Sequence, residues 1–427
     1  MALTLSNIQE VGFGVESSHL AGPASYTYLP VKGLLDTSGL KQTAHEDDRS
    51  KQGLYQLAPH AGEKSDSTLS VQLEVPSWSA ATPTAQPTVN TVYADVLAQA
   101  IGLSFLSGPS SFVSMADNEK INGTKMIITP TATTDFIAGQ CIGLYTCSTD
   151  ENLTPMYEVA RVKQVTATTL VLDQPLAQGY GYATNLKIHT GIDIVPVATC
   201  TSGDESAAIR IRRQGTSEWE TFGLRASSAK LDMTPKGIIQ ATLEYMVGNW
   251  TYGVDTAAAY NALPVDEDST TLPRLQALAG KIRAYDGSTA VDLDGNSLEF
   301  DPGISWIRNN GLPLISSAQG VQDGCFGPYT PVLSVNPTWG SLRDYFSAQT
   351  ALSVIAQAGS APGSTIAVCL PNAYLKEEAA HGDRDGIESE SDMLMATHYA
   401  GDLAADDGAI AEDDVGPECK DFVITLI

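Results

Sequence analysis

Two stretches of the chain place hard oxygen donors at close spacing. His381-Gly382-Asp383-Arg384-Asp385-Gly386-Ile387-Glu388 carries three carboxylates in six residues, and Val291-Asp292-Leu293-Asp294-Gly295-Asn296 repeats the Asp-x-Asp-Gly core. Calcium loops space oxygen ligands in this way, but an EF-hand needs a longer ligand set ending in a bidentate Glu, with a helix on each side. Neither stretch meets that requirement. Asp-Gly is also a favoured hairpin turn, and a turn between strands is the better reading of both. Asp383 and Asp385 are the only carboxylates to consider as a hydrolase pair, and the pattern gives them no base or nucleophile.

Other chemistry is thin. The six histidines (His19, His45, His60, His189, His381, His398) show no HExxH spacing, and no GxSxG elbow is present. No GxGxxG follows a strand and no GxxxxGK[ST] occurs, so nucleotide chemistry is not expected. Six cysteines (Cys141, Cys147, Cys200, Cys325, Cys369, Cys419) are scattered without a CxxC pair, which reads as buried thiols rather than a zinc site or a disulfide scaffold. No cofactor or metal is expected.

Charge sets the next bound. Fifty acidic residues against 24 basic give a formal net charge of −26, so a groove that grips phosphates, which needs clustered Lys and Arg, is not expected. The segment from Glu377 to Asp421 holds fifteen carboxylates against Arg384 and Lys420. Such a run is ordinarily a solvated loop. The sharper reading makes Asp383, Asp385, Glu388 and Glu390 part of a channel wall, which repels phosphates within a Debye length of about 8 Å and lets DNA pass without sticking. No run of apolar residues is long enough to span a membrane, and the first residues lack a basic stretch followed by an apolar core. Folding in the cytosol is the expectation.

With 427 residues the chain is long enough for two or three domains. The run Thr68 to Val75 alternates Leu69, Val71, Leu73 and Val75 with polar residues, and Ile239, Ala241, Leu243, Tyr245 and Val247 alternate likewise, so each predicts a strand with one buried face. Val92, Val96, Leu97 and Ile101 predict a short helix over about 91–101. Residues 119–198 (KMIIT, QCIGLYTC, MYEVARVKQV, TTLVLD, LKIHTGIDIV) read as a compact all-β insert. A strand, a Pro-containing link and a short helix recur as PVLSV with WGSLRDYFSA, which suggests a weak internal duplication. The expected domains are thus a discontinuous first core copy (1–118 and 199–249), the insert (119–198) and a second core copy (250–427).

The most specific stretch is Ala348 to Leu375, where QTALSVIAQ and STIAVCL are joined by a Gly/Pro/Ser turn and closed by LPNAY. It reads as a β-hairpin for self-association, with Leu352, Val354, Ile366, Val368 and Leu370 as its assembly residues. This hairpin, the PNA step, the DGI segment, LEYMVG after AKLDM, AYDGSTAVDLDGNSLEFD, the opening SNIQEVGFGVESS and the final DFVITLI together resemble the tail tube proteins of long flexible-tailed bacteriophages. The resemblance covers much of 1–115 and 200–427 and leaves the insert outside.

That resemblance implies a mainly β fold: an antiparallel sandwich core with a flanking helix, duplicated here and carrying the insert as an outward-facing, barrel-like module. It implies a structural protein and not an enzyme. Copies would join edge to edge into rings, a trimer with pseudo-sixfold symmetry or a hexamer, and rings would stack into a tube through which DNA travels. The implied partners are the chain itself, a tape measure protein, and tail terminator and baseplate proteins; the implied location is the virion, after assembly in the bacterial cytoplasm. Closure of a sheet into a ring removes exposed strand edges, which gives a physical reason for so β-rich a chain to oligomerise. A capsid decoration or carbohydrate-binding β module is the alternative, with Trp306, Trp339 and Tyr345 as its possible aromatic cluster.

Overall fold

The computed structural model describes residues 9–17, 20–28, 31, 33–42, 44–45, 60–61, 67–75, 103–107, 113–114, 125–146, 157–177, 186–196, 206–213, 217–234, 237–254, 280–293, 298–303, 306–308, 324–326, 329–337, 342–378, 380–384, 387–397 and 421–427. They form a mainly β protein of antiparallel ladders. Eighteen strands make one curled sheet and six make a second.

The alternating runs sit where their periodicity requires. Thr68–Glu74 pairs with Gln240–Met246 so that Leu69 faces Tyr245, Val71 faces Leu243 and Leu73 faces Ala241. All six side chains are buried, because a two-residue period puts every apolar residue of both strands on one face. The spine of the sheet is the 16-residue strand Ser217–Asp232. Its first half lies between Ser206–Arg213 and Asn249–Gly253, its second half beside Gln240–Met246, and its last residues reach Leu298–Asp301. The change of partners coincides with register breaks at Ala207/Ile209 and Ala226/Ser228 and with Gly223 in the left-handed region (φ 63). A bulge bends and twists a strand locally, which lets one strand turn the corner of a curled sheet.

From Leu298–Asp301 the ladder runs through Val332–Val335 and Ile387–Ala396 to Ile366–Leu375. The hairpin of Leu352–Ala358 and Ile366–Leu375 then leads to Gly280–Tyr285 on one side and to Val423–Leu426 on the other. Strands from both expected core copies therefore belong to one sheet, and their side chains share one apolar core, from Val11 and Val71 to Val354 and Leu426.

The second sheet is built by Val113–Ser114, Leu186–Thr190, Cys141–Thr146, Tyr157–Val165, Leu170–Leu172 and Ile127–Ile128, in that spatial order. It has its own core, which includes Ile128, Phe136, Leu144, Val162 and Leu170. Its strand Leu186–Thr190 passes through Gly191 directly into Ile192–Pro196, a strand of the main sheet paired with Leu103–Ser107 and Val423–Leu426. The sequence run LKIHTGIDIV thus splits at Gly191, where a Cβ would meet the Leu426 carbonyl and the Ile427 side chain. Only glycine lets the chain cross there.

A short helix, Arg343–Ala348, stands where WGSLRDYFSA predicts one and ends at Gln349 in the left-handed region. The expected helix at 91–101 lies outside the described residues. No helix among the described residues is long and apolar enough to cross a membrane.

Candidate functional site

The hairpin singled out by sequence is a central element of the main sheet. Leu352, Val354, Ile366, Val368 and Leu370 are each at most 1% exposed and face the main core. The opposite face of the same strands, Ile355, Ala367 and Cys369, is covered by Cys141, Tyr157 and Val159 of the six-stranded sheet, with Val195, Val423 and Ile427 beside them. Both outer edges are also taken, by Gly280–Tyr285 on one side and by Val423–Leu426 and Ile387–Ala396 on the other. The five residues lie in the core of this chain, on strands paired on both sides. An uninterrupted apolar run such as IAVCL is the signal of a strand buried on both faces.

Polar side chains fix the six-stranded sheet on that hairpin. Gln357 accepts a hydrogen bond from the Val159 N–H (2.9 Å) and donates to the Tyr157 carbonyl (3.4 Å). Gln174 donates to the Ser353 carbonyl (2.9 Å), and Arg283 pairs with Glu158 (3.0 Å) while donating to the Pro175 carbonyl (2.7 Å). Asp193 accepts from the Cys141 N–H (2.9 Å). Buried groups tied in this way make a fixed seam, because breaking any one leaves a desolvated partner.

Inside the six-stranded sheet Tyr157 and His189 form a buried pair, Oη to Nε2 3.1 Å, with stacked rings. Burial lowers the His189 pKa to about 4 and pushes the Tyr157 hydroxyl well up, so both are neutral near pH 7. Such a pair could pass a proton, but both side chains are buried and packing explains it.

The acidic candidates divide. The strands Ala380–Arg384 and Ile387–Ala396 pair with Arg384 opposite Ile387; Asp385 and Gly386 lie outside the described residues. Asp383 and Glu388 are exposed, and Glu388 lies 3.7 Å from the exposed His381. Glu390, by contrast, is fully buried, its carboxylate accepting the Leu342 N–H (2.9 Å). Sequence reasoning missed Asp392, also 0% exposed, whose pKa is raised to about 7 by burial and then by the Glu390 charge. Two acids at i and i+2 of one strand share a face, which was the available signal.

Among the described residues no group of three or more His, Cys, Asp or Glu could hold a metal ion. Asp292 lies within the strand Ala290–Leu293, opposite Arg283 of Gly280–Tyr285, and Asp294 lies outside the described residues. Tyr345 packs against the main core with its hydroxyl toward Asp286 (3.4 Å), and Trp339 is outside the described residues, so no Trp306–Trp339–Tyr345 surface is described.

A strand with a single described partner lies elsewhere. Asn249–Gly253 pairs only with Ser217–Asp232 among the described strands. It carries no charged residue, and Tyr252 and the following Val254, 61% and 65% exposed, are the most exposed large apolar side chains described. Tyr252 rests against Trp219 (ring centroids 5.0 Å), which itself packs on the main core under the Arg213 guanidinium.

No protein-family model matches the chain, and no curated protein matches it.

Proposed function

We propose that this chain is a structural self-assembling protein whose copies associate through sheet edges into rings, the rings stacking as a tail tube of the bacteriophage type. The observation that carries self-association is the uncharged edge strand Asn249–Gly253, with Tyr252 and Val254 exposed beside the core. Sheet proteins that remain single protect their edges with Lys, Pro or inward-pointing charge. The residues of this strand include none of these, and a second copy of the chain supplies a partner on its other side. The step from ring to tail tube rests on the sequence resemblance and on the net charge of −26, which suits a conduit that must not bind the DNA it passes.

The test separates association from folding. Purified protein is expected to form particles of several subunits by native mass measurement, and Tyr252→Lys with Val254→Lys to release folded single subunits. Wild-type protein that stays a single subunit at high concentration would overturn the reading.

A further inference from the structure

We propose that Cys141 and Cys369 are a disulfide-forming pair that locks the six-stranded sheet onto the main sheet. Cys141 opens the strand Cys141–Thr146 of the smaller sheet, and Cys369 lies on the hairpin strand Ile366–Leu375 of the larger. They are 228 residues apart in sequence, yet their Sγ atoms lie 3.3 Å apart, and both residues are at most 1% exposed. A disulfide needs sulfurs about 2 Å apart, an approach that small side-chain rotations can make. The pair sits at the middle of the apolar seam, between Tyr157, Val159, Ile355 and Val423, with the Gln357, Gln174 and Arg283–Glu158 contacts around it. Those contacts already hold the two strands in place, so closure requires no movement of one sheet over the other.

Hydrogen peroxide is an oxidant small enough to enter. One thiolate attacks a peroxide oxygen, the O–O bond breaks, and a sulfenic acid and water result; the second thiol attacks that sulfur, the S–O bond breaks and a second water leaves. Two thiols and one peroxide thus give one disulfide and two waters. Burial, reinforced by the Cys369 thiol and the Asp193 carboxylate, raises the Cys141 thiol well above its usual range, so the reaction is slow and waits on brief openings of the seam. In a reducing cytosol the pair stays open; outside it, the pair closes. The closed bond spans a very long loop and restricts the unfolded chain, whether or not copies of the protein associate.

The full chain is incubated with hydrogen peroxide, unfolded, alkylated and digested without reductant. The expected result is a peptide joining Cys141 to Cys369 and a rise in the melting midpoint that dithiothreitol reverses. Oxidised glutathione, too large for the seam, is expected to leave the folded pair reduced. Recovery of both cysteines in alkylated form, or linked instead to Cys147, Cys200, Cys325 or Cys419, overturns the proposal. Cys369→Ala should abolish the midpoint rise; if that variant fails to fold, the wild-type peptide map decides alone.

Discussion

Gly143 has no room for a side chain, since a Cβ would run into the Tyr157 hydroxyl and His189 Nε2. Gly143→Ala is therefore expected to destabilise the six-stranded sheet by about 1–3 kcal/mol, read as a lower thermal midpoint. His189 gives that sheet a pH dependence. Its folded pKa of about 4 lies below the unfolded value of 6.5, so the unfolded chain binds the extra proton. Stability is full above pH 6.5 and is lost as pH falls through 4, by on the order of 3 kcal/mol. His189→Gln should flatten the melting midpoint across this window; an unchanged pH profile would contradict the assignment. Asp392 works in the opposite sense. Its folded pKa of about 7 exceeds the unfolded 3.8, so its contribution is full below pH 3.8 and lost as pH rises through 7. Asp392→Asn is accordingly expected to raise the midpoint more at pH 8 than at pH 5, and an equal effect at both would count against a buried acid pair. None of these environments was visible in the sequence, where His189 was one of six histidines without a catalytic spacing and Asp392 part of a solvated run. Burial is decided by which strands pair, and that information is not local.

The hairpin at Leu352–Leu375 shows how far the element scale could be read. Its two strands and Gly-containing turn follow from composition, and Gly359 (φ 108) does occupy a left-handed position that favours glycine. What composition could not supply is the cover: the partner strands of its edges come from 280–285, 387–396 and 423–426, and its outer face is met by residues near 141 and 157–159. The alternating strands at 68–75 and 239–247 were legible because each has one wet face, which leaves a clean period. Val354→Asp and Val368→Asp place a charge in a closed core, and each is expected to abolish folding, seen as loss of the β circular-dichroism signal, rather than to release folded subunits. The Tyr252 and Val254 changes alter an exposed edge and should leave that signal intact. If Val354→Asp were folded and merely unassembled, the placement of this hairpin inside the subunit would be wrong.

At the scale of the whole molecule one sheet runs through both ends of the chain, and one core binds them. An N-terminal strand, Gln9–Glu16, pairs along its length with Ser206–Arg213, and the buried Glu10–Arg212 ion pair joins residues 202 positions apart. The strand Val423–Leu426, near the other end, fills the space between Ile366–Leu375 and Ile192–Pro196. Removing residues 421–427 would expose two strands and the Phe422 pocket against Phe300 and Tyr329, and insoluble protein is the expected outcome. The described strands are thus fixed as a unit, and Asn249–Gly253 is one of those with a single described partner.

Negative-stain electron microscopy of the purified chain tests the proposal of self-association into a conduit most directly. Hollow rings, single or stacked into tubes, are expected, and they are lost in the Tyr252→Lys and Val254→Lys variant. A field of uniform, ring-free single subunits at concentrations well above micromolar would contradict it.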